Sequence, residues 1–101
     1  MAGDLGAVDS ALQSANVVDW HRFDPSEWDI VYDVGKLDAH RVADWEAAEV
    51  IWNGFVARPN KRAHGPNRYQ LLGRTDAGRA LKLIVHVSGE RSMRVITGWP
   101  R

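Results

Sequence analysis

The chain of 101 residues contains no cysteine. This absence excludes disulfide frameworks, cysteine-ligated zinc and thiol nucleophiles, and it makes a reducing compartment the expected one. No uncharged stretch exceeds nine residues, and the first twenty residues hold three aspartates but no lysine or arginine. A membrane span needs about twenty apolar residues and a secretory signal needs a basic flank, so neither is predicted. We therefore expect a cytoplasmic protein that does not enter a membrane.

Motifs that bind cofactors or metals are also missing from the sequence. It has no glycine-rich phosphate loop, no Gly-x-Ser-x-Gly and no His-Glu-x-x-His, and its carboxylates and histidines do not follow metal-ligand spacing. We therefore expect neither a cofactor nor a metal site.

Each half of the chain is poor in charges of one sign. Residues 1–57 carry three basic and eleven acidic side chains, a net charge of −8, whereas residues 58–101 carry ten basic and two acidic ones, a net charge of +8. The acidic half could neutralise the basic half within the fold, or the basic half could present a cationic face to a polyanion such as RNA. Pairing of opposite halves between two copies, in a homodimer, is a third interpretation.

The N-terminal half shows a leader followed by helical patterns. Residues 1–16 are rich in glycine, alanine and serine and are predicted to be a flexible leader, with one domain over residues 17–101. The pattern favours a strand over 17–23, a helix from Ser26 to about His40, and a second helix from Asp44 to Trp52. A strand at 30–32 is the alternative to the first helix. Three tryptophans fall at helical positions, and we expect them in the core. They are Trp28, Trp45 and Trp52.

The C-terminal half has the pattern of a β-meander. A short strand at 55–58 precedes a basic loop over 59–67, and strands at 68–74, 79–87 and 91–98 are separated by turns that contain glycine. The sequence therefore predicts an α+β domain with two helices packed on one face of a three- to five-stranded antiparallel sheet.

Hairpin register assigns these side chains to two faces of the sheet. Three-residue turns place Arg74 opposite Ala80 and Arg68 opposite His86, and in the second hairpin they place His86 opposite Ser92 and Ile84 opposite Arg94. Side chains alternate along a strand, so Trp99 is expected on the core side. The expected core positions are Tyr69, Leu71, Leu81, Leu83, Val85, Val87, Met93 and Val95. The opposite face collects Arg68, Gln70, Arg74, Lys82, His86 and Arg94.

This second face has the chemistry of a phosphate site. Arg74, Arg94 and Lys82 could bind phosphate through charge-assisted hydrogen bonds, and His86 could exchange protons near neutral pH. The competing interpretation is an ordinary solvated sheet face, on which arginine and lysine are common.

Several segments together resemble the BrnT family, toxins of type II toxin–antitoxin systems with a RelE-like ribonuclease fold. The most specific of them is the hairpin sequence Leu-Leu-Gly-Arg-Thr-Asp-x-Gly-Arg. The resemblance is carried by residues 27–29, 40–42 with the following Glu46 and Glu49, 69–79, and 94–96.

The resemblance implies a metal-independent endoribonuclease that inhibits translation and is neutralised by a ribbon-helix-helix antitoxin. In such catalysis the ribose 2′-hydroxyl attacks the adjacent phosphate while arginines stabilise the transition state. The implied catalytic residues are Arg74, Arg94 and Glu46, supported by Arg79 and His40. Glu46 or His40 would be the base and His86 the acid. The expected RNA-binding residues are Arg68, Lys82, Arg79, Lys61 and Arg62.

Two positions differ from the family pattern. Trp99 stands where the family has a second arginine, and Arg41 stands where the family has glycine after histidine. The alternative function is therefore a module that keeps the fold and binds RNA or a protein without cleaving RNA.

Overall fold

A computed structural model describes residues 18–60 and 67–101. The expectations for the leader, Lys61 and Arg62 fall outside these residues. In the described part of the chain, two single-turn 3₁₀ helices precede the first strand, two α-helices follow that strand, and four more strands complete the order. The 3₁₀ helices are Trp20–Arg22 and Pro25–Glu27, the α-helices are α1 (Val34–Ala39) and α2 (Asp44–Asn53), and the strands are β1 (Asp29–Tyr32), β2 (Phe55–Pro59), β3 (Arg68–Arg74), β4 (Ala80–Gly89) and β5 (Ser92–Pro100).

The five strands form one mixed sheet in the order β1-β5-β4-β3-β2. The α+β class is confirmed, but the expectation of a purely antiparallel sheet is wrong, because β1 pairs in parallel with β5 from Asp29↔Ser92 to Tyr32↔Val95. Both helices and three further strands lie between β1 and β5 in the chain, and this long connection allows β5 to return alongside β1 in the same direction.

The segment before α1 differs from the prediction. The expected strand over 17–23 is wrong: residues 20–22 form a 3₁₀ turn, and the Asp19 carboxylate accepts the His21 N–H at 3.2 Å. The expected helix from Ser26 to His40 is wrong in its first half, where the alternative strand at 30–32 is confirmed, and the chain is α-helical over residues 34–39 alone within that range. Trp28, Ile30 and Tyr32 pack against the core with exposed residues between them, so a period of two prevails and gives β1.

Helix α2 was predicted correctly, but its tryptophans were not. The helix buries Ala47, Val50 and Ile51, and it ends before Gly54, whose φ of 96° favours glycine. Trp45 and Trp52 lie on the opposite side and are 62% and 59% exposed. Their expected place in the core is therefore wrong. Trp28 does pack against the core, within an aromatic cluster.

The β3–β4 hairpin has the predicted register. Arg68 pairs with His86, Leu72 with Lys82 and Arg74 with Ala80. The turn closes with a 2.9 Å hydrogen bond from the Thr75 N–H to the Arg79 carbonyl, and Gly78 has a φ of 89°. Turn chemistry was thus a sufficient guide to this pairing.

The β4–β5 hairpin does not have the predicted register. Gly89 pairs with Ser92 across a two-residue loop in which Arg91, rather than a glycine, has a positive φ of 58°. The pairing shifts twice, between Val87 and Gly89 and between Ile84 and Val85, so that Ile96 lies in a β-bulge. His86 consequently pairs with Arg94, and Ile84 pairs with Thr97.

The core lies between the sheet and the two helices. All eight predicted core positions of β3, β4 and β5 are buried, together with Leu37, Val42 and the inner face of α2. Gly98 permits the close approach of α1, since a Cβ there would lie 2.7 Å from Leu83 Cδ2 and 3.3 Å from Leu37 Cδ2. No helix in the described residues is long and apolar enough to cross a membrane.

Candidate nucleic-acid interface

Three side chains that can carry positive charge form a row across the sheet face that the helices leave open. Arg68 on β3 pairs with His86 on β4, and His86 pairs with Arg94 on β5. Paired residues on adjacent strands project from the same face with their Cβ atoms about 5 Å apart. Arg94 is exposed, while Arg68 and His86 are partly buried. We call these three residues the cationic row and this face the outer face.

The cationic row contains polar atoms without partners. Arg68 Nε and His86 Nδ1 are buried and accept or donate no hydrogen bond among the described residues. Arg94 Nη2 lies 3.6 Å from Asp33 Oδ2, and the other oxygen of that carboxylate accepts the Lys36 N–H at the start of α1. Within residues 18–60 and 67–101, one carboxylate pairs with this row of two arginines, so the row stays net positive there and suits an anion.

A second group lies further along the outer face. Lys82 pairs with Trp99, and its Nζ lies 5.6 Å from the centre of the indole ring. The ring of His40, which follows α1, lies 5.6 Å from the same indole. The expected core-side position of Trp99 is wrong, because the bulge at Ile96 inserts one residue and reverses the alternation beyond it.

Glu46 and Arg79 lie at the point where α2 meets the β3–β4 turn, away from the outer face. Arg79 Nη1 donates to Glu46 Oε1 at 2.7 Å, and the same carboxylate oxygen accepts the Ala43 N–H at 3.1 Å. Burial acts to raise the pKa of Glu46, but these two hydrogen bonds and the charge of Arg79 outweigh it and lower the pKa. Glu46 is therefore held as a carboxylate that fixes the helix to the turn.

Two more residues of α2 complete this attachment. Glu49 Oε1 accepts the Asp76 N–H at 3.0 Å. Asn53 Nδ2 donates to Asp76 Oδ1 at 2.7 Å and to the Arg74 carbonyl at 3.2 Å. The β3–β4 turn, which is the most specific segment of the sequence resemblance, thus forms one structural contact with the glutamates of α2.

Arg74 does not join the cationic row. It lies six residues from Arg68 along β3, a distance of about 20 Å at 3.3 Å per residue. Its Nη1 donates to the Gly78 carbonyl at 2.8 Å, within its own turn. Arg74 and Arg94 are therefore not placed to bind the same phosphate.

The predicted site residues thus fall into three groups. Arg68, His86 and Arg94 form the cationic row, while Lys82 and His40 meet at Trp99. Glu46, Arg79 and Arg74 lie at the contact between α2 and the turn. Asp33 and Asn53 were not identified from the sequence as residues that contact these groups. The position of Asp33 directly before α1 is typical of a helix cap and could have indicated it, whereas Asn53 had no comparable signal. Within residues 18–60 and 67–101, no group of three or more histidines and carboxylates could hold a metal ion.

Comparison with known proteins gives no match: no protein-family model, no curated protein and no solved structure matches this chain. The geometry of the outer face and the resemblance in individual segments are therefore the basis for a functional proposal.

Proposed function

We propose that the chain is a BrnT-like toxin that binds single-stranded RNA on its outer face and cleaves it without a metal ion. The observation that carries the proposal is the cationic row, in which a histidine with an unpartnered buried nitrogen lies between two arginines. Arginine matches phosphate geometry, and an imidazole can act as a general acid.

The proposed reaction uses the RNA's own nucleophile. The ribose 2′-oxygen forms a bond to phosphorus and its proton passes to water, while the bond from phosphorus to the 5′-oxygen breaks. His86 donates a proton to that leaving oxygen, and the products are a 2′,3′-cyclic phosphate and a 5′-hydroxyl. Arg68 and Arg94 stabilise the charge that develops on the phosphate oxygens.

In this proposal Glu46 and Arg79 serve the fold rather than the reaction. Their side chains bond to each other and lie where α2 meets the turn. We infer that the family positions on α2 and the turn hold β3 and β4 in the register that forms the cationic row.

The test is cleavage of a single-stranded RNA in buffer containing EDTA. We expect the wild-type protein to cleave, and we expect Arg94→Ala and His86→Ala each to lose about a hundredfold or more in rate. Arg22→Ala is the matched control, because Arg22 is 89% exposed and lies in the first 3₁₀ helix, whose Trp20 packs on the core side. Cleavage that stops in EDTA and returns with magnesium would overturn the proposed mechanism.

The second candidate is an RNA-binding module without cleavage. Trp99 favours it, because this residue stands where the resembled family has an arginine. A wild-type protein that binds RNA, leaves it intact and does not inhibit growth on expression would establish the second candidate over the first.

A further inference from the structure

Trp99 occupies a different environment from the other four tryptophans. Trp20 and Trp28 pack together in the core-side aromatic cluster, and Trp45 and Trp52 project from α2. Trp99 alone lies on the outer face, because Gly98 faces Leu37 and Leu83 and the next residue projects to the other side. A large aromatic ring is therefore present on the face that carries the cationic row.

The surroundings of the indole suit a nucleic-acid base. Lys82 Nζ lies 5.6 Å from the ring centre, which places a cation where it can bind the phosphate beside a stacked base. The His40 ring lies tilted at 56° to the indole, so it does not form a parallel stack with it. A lysine above a tryptophan is also an ordinary surface pair. The position of this pair relative to the cationic row favours a binding role.

Trp99 and the cationic row lie along one strand. The β4 partners of Arg94 and Trp99, which are His86 and Lys82, lie four residues apart, a distance of about 13 Å at 3.3 Å per residue. At the 3.4 Å spacing of stacked nucleotides, roughly four nucleotides cover this distance. One short piece of single-stranded RNA can therefore contact the row and the indole together.

We propose that Trp99 is a base-stacking residue that sets the preference of the outer face for purine-rich single strands. The inference rests on the proposed RNA-binding function. A base stacks on the indole, Lys82 moves onto the neighbouring phosphate, and the cationic row binds a phosphate further along the strand. Purines are favoured because their larger rings overlap more of the indole.

The experiment measures the affinity of the full chain for labelled 2′-O-methyl oligonucleotides, which lack the nucleophile for cleavage. Oligo(A), oligo(U) and an abasic strand of the same length are compared at fixed salt. We expect Trp99→Ala to bind oligo(A) about tenfold more weakly and to lose the purine preference, and Trp99→Phe to retain part of both. Trp45→Ala is the matched control, since it removes an exposed tryptophan from α2.

The outcomes separate this inference from the function on which it rests. If the wild-type protein binds none of the strands, the proposed function fails and the inference fails with it. If the wild-type protein binds all of the strands, and its affinity is unchanged by Trp99→Ala or by removal of the bases, the stacking role is overturned while RNA binding stands. The abasic strand tests the wild-type protein directly, so the inference stays testable even if Trp99→Ala does not fold.

Discussion

The guanidinium of Arg79 donates a 2.7 Å hydrogen bond to the carboxylate of Glu46, and this contact joins the β3–β4 turn to α2. The side chains are 34% and 14% exposed, so the pair is partly shielded from water. Because the same carboxylate oxygen also accepts the Ala43 N–H, one residue fixes both the start of the helix and the turn. A pair that the sequence resemblance places in a ribonuclease site therefore contributes to stability.

We expect Glu46→Gln to lower the free energy of unfolding by about 1–2 kcal/mol at pH 7, because a charge-assisted hydrogen bond is replaced by a neutral one. The folded-state pKa of Glu46 lies below its ordinary value of 4.5. Its contribution is thus present above pH 4.5 and is lost as the pH falls through the lowered pKa. Thermal melts from pH 3 to 7 should show the gap between wild type and variant closing at the acidic end. A gap that stays constant with pH would show that the charge of Glu46 does not stabilise the fold.

Arg41→Gly should stabilise the protein. Arg41 lies two residues beyond the end of α1 and has a φ of 60°, a left-handed conformation that costs most side chains energy but not glycine. We expect a gain of about 1 kcal/mol, equivalent to a rise of roughly 4–8 °C in Tm for a domain of this size. Gly78→Ala is the converse control. Gly78 has a φ of 89°, so alanine at this position should lower the stability of the protein. A fall in Tm for Arg41→Gly would mean that the arginine side chain contributes more than its backbone strain costs.

Gly98→Ala should destabilise the protein by about 1–3 kcal/mol. The added Cβ would lie 2.7 Å from Leu83 Cδ2 and 3.0 Å from the Lys82 carbonyl oxygen, and that backbone atom has little freedom to move. Gly35→Ala is the matched control within α1: its Cβ meets nothing closer than 3.7 Å, and alanine favours a helix. Chemical denaturation of both variants measures the difference. Equal stability for Gly98→Ala and wild type would contradict the close packing of α1 on β5.

RNA affinity should depend steeply on salt. The logarithm of affinity falls by about 0.7 for each phosphate neutralised on a single strand, for each tenfold rise in salt concentration. With contacts from Arg68, Lys82 and Arg94 we expect a slope near −2, and Arg94→Ala should reduce its magnitude by about 0.7. Binding titrations at several salt concentrations between about 50 and 200 mM measure this slope, because such binding changes most in that range. Affinity that is flat over this range would exclude the outer face as an electrostatic RNA site.

Local sequence signals accounted for the elements in which neighbouring residues decide the structure. Alanine-rich α2 and the β3–β4 turn with Gly78 were predicted because helix propensity and turn chemistry act within a few residues. The same reasoning identified the buried face of β4 and placed Arg68 opposite His86.

Long-range pairing accounts for most of what was missed. The bulge at Ile96 adds one residue to β5, and a single added residue moves every later side chain to the other face, as at Trp99. The parallel pairing of β1 depends on β5, more than sixty residues away in the chain. The side of α2 that faces the sheet is likewise set by packing, which left Trp45 and Trp52 exposed although their spacing is helical.

The most direct test of the RNA-binding face is an amide chemical-shift titration of the isotope-labelled protein with a short 2′-O-methyl RNA. We predict that the largest changes fall on β3, β4 and β5 around Arg68, His86 and Arg94, and extend along β5 to Trp99. Residues on the solvent side of α2, including Trp45, should change little. Changes confined to the helices, or none at millimolar RNA in low salt, would contradict the assignment of the cationic row as an RNA site.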